Sequence, residues 1–306
     1  MKDNHITLML LEGLGGTITL TDHVKKVYNK YHEKPNIIIR RYSDLFKNNP
    51  YINNIISVGD IQYVTAIEKY KRIYEYFGVI KTGLGKWFGI DQSFEEHQKL
   101  FDNMPVGTNS LEKYGLNLIQ MANLTLDLSN TNIENNVYYL KEVENLPPKY
   151  LVFSNGVDTW HKGLHQTKCW INTYWEELIT MFDIPFIQVG TNYDTYIKGA
   201  LDLRDKTDIP ELLYILKRAD CIVTTEGGLM HLGAAVNPLK ILVLRGPTRG
   251  NIFNYPNQIN IDSPVCNYCY WDTHLWYQTC PKGINNICMK TITPQRVAIN
   301  MERVLA

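Results

Sequence analysis

The sequence predicts an α/β protein of two doubly wound, Rossmann-like domains that face each other across a cleft. Three observations carry that expectation. At 306 residues the chain exceeds what one hydrophobic core usually serves, so two domains of roughly 150 residues each follow. Short apolar runs alternate with helical patterns through both halves, as parallel βα units require. Between the halves, Glu142 to Lys149 carries the paired prolines Pro147 and Pro148, which suit an extended linker better than a helix or a central strand.

Ile6 to Leu11 is a continuous apolar run that ends in Glu-Gly-Leu-Gly-Gly and leads into a helical pattern from about Thr17 to Tyr31: a buried strand, a glycine turn and a helix. Ile37 to Ile39 reads as a second buried strand and Tyr51 to Val58 as a third. The tyrosine-rich segments Gln62 to Phe77 and Leu111 to Met121 read as helices, with Lys81 to Pro105 an irregular loop between them. With the boundary at 147/148, the alternation restarts. Strand Tyr150 to Phe153, helix Asn172 to Met181, strand Phe186 to Val189, helix Pro210 to Arg218, strand Cys221 to Thr224, helix Leu229 to Ala235 and strand Ile241 to Leu244 follow in order. A cysteine-rich knob over about 264–290 precedes the last helix, which Thr293 caps ahead of Pro294 at the first helical position.

Composition narrows the function classes. With 44% hydrophobic and 20% charged residues the chain is an ordinary globular one, not disordered or fibrous. Basic and acidic side chains balance at 31 each, so no positive field favours nucleic acid as a partner. The apolar run Ile6 to Leu11 is too short for a signal-peptide core, and no stretch reaches the about 18 apolar residues of a membrane span. The expectation is a cytoplasmic protein with no membrane span.

The chemistry gathers in the second half. Thr225-Glu226-Gly227-Gly228-Leu229-Met230-His231 lies where a buried strand hands over to a helix, the edge at which open α/β sheets bind ligands. Glycines allow close backbone approach, a helix N-terminus favours anions, and Glu226 supplies a carboxylate for sugar or ribose hydroxyls. The next strand ends in Arg245-Gly246-Pro247-Thr248-Arg249-Gly250, so amides, a hydroxyl and two guanidinium groups should meet at the same edge and suit a diphosphate. A third turn, Ser154-Asn155-Gly156, leads to Lys168, a point charge for phosphate, and Trp170. Taken singly, each glycine turn also reads as purely structural and each basic side chain as merely solvated.

The order Lys168-Cys169-Trp170, then Glu226-Gly227-Gly228-Leu229-Met230-His231-Leu232-Gly233-Ala234-Ala235, then Gly246-Pro247-Thr248, then Cys288-Met289-Lys290-Thr291-Ile292-Thr293-Pro294 resembles glycosyltransferase family 9, the heptosyltransferase family. Leu14-Gly15-Gly16 and Asn49 to Ile56 echo its N-terminal signature. The resemblance implies a GT-B fold, an inverting sugar transfer from a nucleoside-diphosphate sugar bound by the C-terminal domain, a carbohydrate or protein acceptor on the N-terminal domain, and no catalytic metal. It places Lys168, Glu226, Gly227, Gly228, His231, Gly246, Pro247 and Thr248 at the nucleotide-sugar site. It also exposes a departure: the family signature reads Leu-Gly-Asp, with the Asp as base, whereas this chain has Gly16. A glycine takes no proton. Glu12, on the same turn, becomes the expected catalytic base ahead of Asp22, and the competing expectation is a protein that binds a nucleotide sugar without transferring it.

Of six cysteines, Cys266, Cys269, Cys280 and Cys288 cluster. Four thiols with a leading Cys-x2-Cys suit a tetrahedral structural zinc or iron, the alternative being reduced thiols packed in an aromatic knob. The cluster, and the stretch from Tyr255 to Asn260 before it, resemble those of autotransporter-directed heptosyltransferases, which implies iron at the cysteines and a homo-oligomer. Cys169 and Cys221 read as core residues.

Overall fold

The computed structural model describes residues 3–10, 13–58, 70–75, 132–156, 167–248, 253–266, 269, 273 and 276–306. By internal contacts the chain divides into Met1–Tyr139 and Leu140–Ala306. Residues 140–149 belong to the second unit because Lys141 is fastened to it. Its amide donates to the Pro210 carbonyl at 3.1 Å and its ammonium pairs with Glu211 at 2.7 Å and Asp208 at 3.3 Å.

In the first unit β1 (Asp3–Leu10), β2 (Asn36–Ile39), β3 (Asn54–Ser57) and β4 (Tyr70–Glu75) form a parallel sheet in the order β3-β2-β1-β4. The β2 run Asn36–Ile39 is buried throughout, as an apolar run in a sheet covered on both faces should be. Helix α1 (Leu14–Tyr31) starts earlier than the pattern predicts, capped by Gly13, so Leu14, Gly15 and Gly16 form its first turn and not a free loop. The helix expected over Gln62 to Phe77 is a strand where it is described. Tyr70, Ile73 and Tyr74 are good strand formers, and the register Thr7↔Ile73, Leu8↔Tyr74 extends the β1 edge, so pairing outweighs the local helical pattern. The expected loop 81–105 and helix 111–121 lie outside the described residues.

The second unit is a six-stranded parallel sheet in the order β10-β9-β8-β5-β6-β7, from β5 (Leu151–Phe153), β6 (Phe186–Gln188), β7 (Leu201–Asp202), β8 (Cys221–Thr225), β9 (Ile241–Arg245) and β10 (Ile259–Asp262). Its helices are α2 (Asn172–Thr180), α3 (Ile209–Arg218), α4 (Gly228–Val236), α5 (Ile287–Lys290) and α6 (Pro294–Leu305). The strands β5, β6, β8 and β9 are buried along their length. Chain order runs outward from β5 in one direction and from β8 in the other, so the sheet has a topological switch point between β5 and β8, where such sheets hold ligands.

Local chemistry fixes the helix ends. A reciprocal capping box between Asp208 and Glu211 starts α3, and the Thr293 hydroxyl accepts the Arg296 amide to start α6; each such cap stabilises by about 1 kcal/mol. Trp175 of α2 stacks on Phe153 at 4.8 Å and meets Trp170 edge-on at 4.8 Å. The Trp170 indole donates to the Ile292 carbonyl at 2.8 Å, which ties the segment before α2 to the start of α6. Cys169 and Cys221 are core residues, and burial pushes the Cys221 thiol up to about 12.

Candidate functional site

At the switch point three segments meet on one carboxylate. Glu226 follows directly on β8, Thr248 lies in the turn after β9, and Lys168 comes from the segment ahead of α2, held there by the fully buried Trp170 two residues on. The Lys168 ammonium pairs with Oε2 of Glu226, and the Thr248 hydroxyl donates to the same oxygen at 3.1 Å. Gly227 caps α4, whose first turn contains Gly228 and His231. The sequence-predicted residues Lys168, Glu226, Gly227, Gly228, His231, Gly246, Pro247 and Thr248 therefore all lie at the C-terminal edge of β8 and β9 or beside it.

The electrostatics of this group are set by burial against charge. Burial alone would raise Glu226, but Lys168, by charge and hydrogen bond, and then Arg245 and His231 outweigh it and hold the carboxyl below its usual range. Burial pushes His231 down to about 4, with Glu226 opposing and Arg245 and Lys168 assisting. The site thus holds the Lys168–Glu226 ion pair and an imidazole that burial keeps neutral, and the N-terminus of α4 beside them is what suits an anion.

Arg245 corrects one expectation. Its guanidinium does not reach the open edge for phosphate: the residue is fully buried. Nε donates to Asn260 at 3.0 Å, and Nη2 contacts the Met230 sulfur at 3.4 Å and the Phe253 carbonyl. Burial depresses its pKa to about 10, against the support of Glu226 and Asp262. Arg249 lies outside the described residues.

The cysteine-rich segment braces the site. The Thr167 amide and hydroxyl donate to the carbonyls of Tyr277 and Trp276 at 3.0 and 2.9 Å, and the Lys168 ammonium lies 5.1 Å from the centre of the Trp276 ring. The Cys269 amide donates to the Pro247 carbonyl at 3.0 Å. Gly246 is backed so closely that a Cβ there would stand 2.4 Å from the Met289 sulfur and 3.0 Å from that of Cys288. Burial raises the Cys288 thiol to about 11, with Cys266 and Cys280 adding to the rise. Burial opposes thiolate at Cys280 too, but four backbone amides, from Lys282, Gly283, Ile284 and Asn286, outweigh it and lower its pKa. The donor chemistry fits a thiolate-liganded ion. Among the described residues, however, no three ligating side chains are assembled closely enough to hold one.

Elsewhere the expectations divide. Asn155 is consumed by the fold: it accepts from Gln188 at 2.8 Å and donates to the Thr195 carbonyl at 2.9 Å. Asp22 is buried within α1, pairs with Lys26 at 2.6 Å and accepts the Glu134 amide at 2.6 Å, which leaves it no role as a free base. Glu12 lies outside the described residues. The sequence assigns no site role to two residues at the site's margins. Asp194 fills the space beside Gly156, where a Cβ would come 1.9 Å from its Oδ1. Tyr255 places its hydroxyl 2.6 Å from Nδ1 of His231. Neither belongs to a strand-to-helix turn, so periodicity carries no signal for them.

No protein-family model and no curated protein matches the sequence. Among solved structures the chain is similar to the iron-containing dodecameric glycosyltransferase TibC of enterotoxigenic E. coli, with TM-score 0.72, 16% identity and coverage of 99% of this chain and 79% of that one. It is also similar to the E. coli ADP-heptose lipopolysaccharide heptosyltransferase II, with TM-score 0.63 and 14% identity over 98% of both chains. A family 9 glycosyltransferase of Veillonella parvula matches with TM-score 0.63 and 13% identity over 100% and 98% of the two chains. At such identities the likeness establishes the fold, an α/β chain with parallel sheets of the GT-B type. No helix of the described residues is long and apolar enough to cross a membrane.

Proposed function

We propose that the protein is an inverting glycosyltransferase that takes a heptose or similar hexose-like sugar from a nucleoside-diphosphate donor to an acceptor hydroxyl, and that ADP-heptose is the donor to test first. The observation that carries the reading is the convergence of Lys168, Glu226 and Thr248 at the β5/β8 switch point beside the N-terminus of α4. The ADP-heptose named for one structural neighbour supports the choice of nucleotide. In this reading the departing diphosphate is stabilised by Lys168, the Thr248 hydroxyl, His231 and the amides of Gly227, Gly228 and Gly246, with Pro247 shaping the turn. Glu12, which falls between β1 and α1 in the sequence, takes the proton of the acceptor hydroxyl as it attacks the anomeric carbon, and the C–O bond to the diphosphate breaks on the opposite face.

Cys266, Cys269, Cys280 and Cys288 hold iron or zinc in the same reading. The ion fixes the segment that braces Thr167 and Pro247, and four protein ligands leave it no open position for substrate. The iron named for TibC supports this assignment. The acceptor is a carbohydrate or a protein side chain, and the chain assembles as a homo-oligomer.

A second reading, a nucleotide-sugar-binding protein without transfer, is favoured by one observation: Gly16 stands in the first turn of α1 where a base is expected, and Asp22 is fully engaged. Calorimetric titration with ADP, GDP and UDP, repeated on Lys168→Ala and Glu226→Ala, tests the donor site: one nucleotide should bind and weaken in both variants. Consumption of ADP-heptose that stops in Glu12→Gln separates transfer from binding alone. Absence of binding by any nucleotide sinks both readings.

A further inference from the structure

His231 is 5% exposed and Tyr255 4%, and the Tyr255 hydroxyl stands 2.6 Å from Nδ1 of the imidazole. The ring of His231 is packed edge-on against both Tyr255, at 5.5 Å, and Phe253, at 5.9 Å. Tyr255 is itself fixed by a chain of polar contacts that ends on the buried guanidinium. Its amide donates to Gln258 at 3.3 Å, Gln258 donates to Asn260 at 2.7 Å, and Asn260 accepts from Arg245 at 3.0 Å, while Arg245 also holds the Phe253 carbonyl. This explains a charged residue at the end of an otherwise apolar strand: Arg245 anchors the segment 253–260 that carries Tyr255.

We propose that Tyr255 is a positioning residue that locks His231 in its Nε2–H tautomer, so that a neutral imidazole offers one hydrogen-bond donor to the anionic group of a ligand at the end of β8. The inference rests on the diphosphate reading for its ligand but not for its tautomer. A neutral imidazole carries one N–H, and either nitrogen can hold it. A phenol is the better hydrogen-bond donor of this pair and an imidazole nitrogen the better acceptor, so the short contact is O–H to Nδ1 and the ring proton stays on Nε2. The alternative tautomer would turn a lone pair toward phosphate oxygens, which only accept. Burial, which keeps His231 uncharged down to about 4, makes the choice of tautomer matter at neutral pH.

The test has two arms on the full chain. Imidazole ¹⁵N spectra, with His231→Gln used to assign the signals, should show protonated Nε2 and bare Nδ1 in the native protein and a mixture of both tautomers in Tyr255→Phe. A native Nδ1–H form overturns the proposal. In the second arm ADP is titrated into the native protein, Tyr255→Phe, His231→Gln and the double variant. Loss of one hydrogen bond's worth of binding predicts an about fivefold weaker affinity in Tyr255→Phe, and little further loss when His231 is already Gln. An equal loss in both backgrounds means that Tyr255 acts on packing and not through His231, and overturns it too. If native protein binds no ADP, the diphosphate reading falls while the spectra still decide the tautomer.

Discussion

The ammonium of Lys168 and the carboxylate of Glu226 meet as an ion pair with side chains only 16% and 7% exposed. Removing either partner from such a pair leaves an uncompensated charge, which costs far more than the pair itself contributes. Lys168→Met should therefore lower unfolding free energy by about 3 kcal/mol, toward the lower end because Arg245 and Thr248 still face Glu226. Lys168→Met with Glu226→Gln should recover most of that loss, because neither charge remains. Urea unfolding of the two single variants and the double variant checks the asymmetry, and simple additivity would contradict it.

His231 gives the stability curve a definite slope. Its folded pKa is depressed to about 4 from an unfolded value of 6.5. Above 6.5 both states are neutral and the group contributes nothing to pH dependence. As pH falls below that value the unfolded chain takes up a proton that the folded protein refuses, so stability declines until about pH 4. The full decline from this group is about 3 kcal/mol. Glu226, depressed from 4.5, contributes stability that is present above its unfolded value and is lost only at lower pH, as the folded value is passed. Measured from about pH 7.5 to about pH 4, the unfolding free energy of the native protein should therefore fall relative to that of His231→Gln.

The second unit is legible in the sequence because its strands are continuous apolar runs with glycine turns at fixed places, and Glu226, Thr248 and Lys168 sit next to those turns. The first unit is less legible. In Tyr70–Glu75 the strand formers Tyr70, Ile73 and Tyr74 are mixed with the helix-favouring Lys71, Arg72 and Glu75, and pairing with the edge of β1 decides. Arg245 misleads because a guanidinium at a strand end is usually solvated, and nothing local announces that Asn260 and the Phe253 carbonyl wait for it. Tyr255 is hidden for the same reason: its partner is 24 residues earlier in the chain, a relation that only the folded structure supplies. The division at Tyr139 shows the same limit, since the hold of Asp208, Pro210 and Glu211 on Lys141 is invisible to a reading that looks for prolines.

Gly246 links the candidate site to the cysteine-rich segment through shape alone. A methyl group there would press on the sulfurs of Met289 and Cys288 at 2.4 and 3.0 Å. The end of Met289 can move, but both residues are buried, so relief comes partly from the turn itself. Gly246→Ala should cost about 1–3 kcal/mol, the usual range for overpacking, and should weaken nucleotide binding although Lys168, Glu226 and Thr248 are untouched. Thermal unfolding and the same ADP titration check both halves of the expectation.

The brace also makes a metal prediction separable from the chemistry of transfer. If Cys266, Cys269, Cys280 and Cys288 hold iron or zinc, elemental analysis of protein purified without chelator should find one of the two metals, and Cys288→Ser and Cys280→Ser should lose it. Structural thiolate sites contribute folding energy directly, so both variants and the chelated native protein should melt at lower temperature. The Cys269 amide holds Pro247, and the carbonyls of Trp276 and Tyr277 hold Thr167. Loss of the ion should therefore loosen two walls of the site at once and reduce ADP affinity without any change at Lys168 or Glu226. Metal-free protein that keeps its melting temperature and its ADP affinity would instead identify the four cysteines as reduced thiols packed in an aromatic knob.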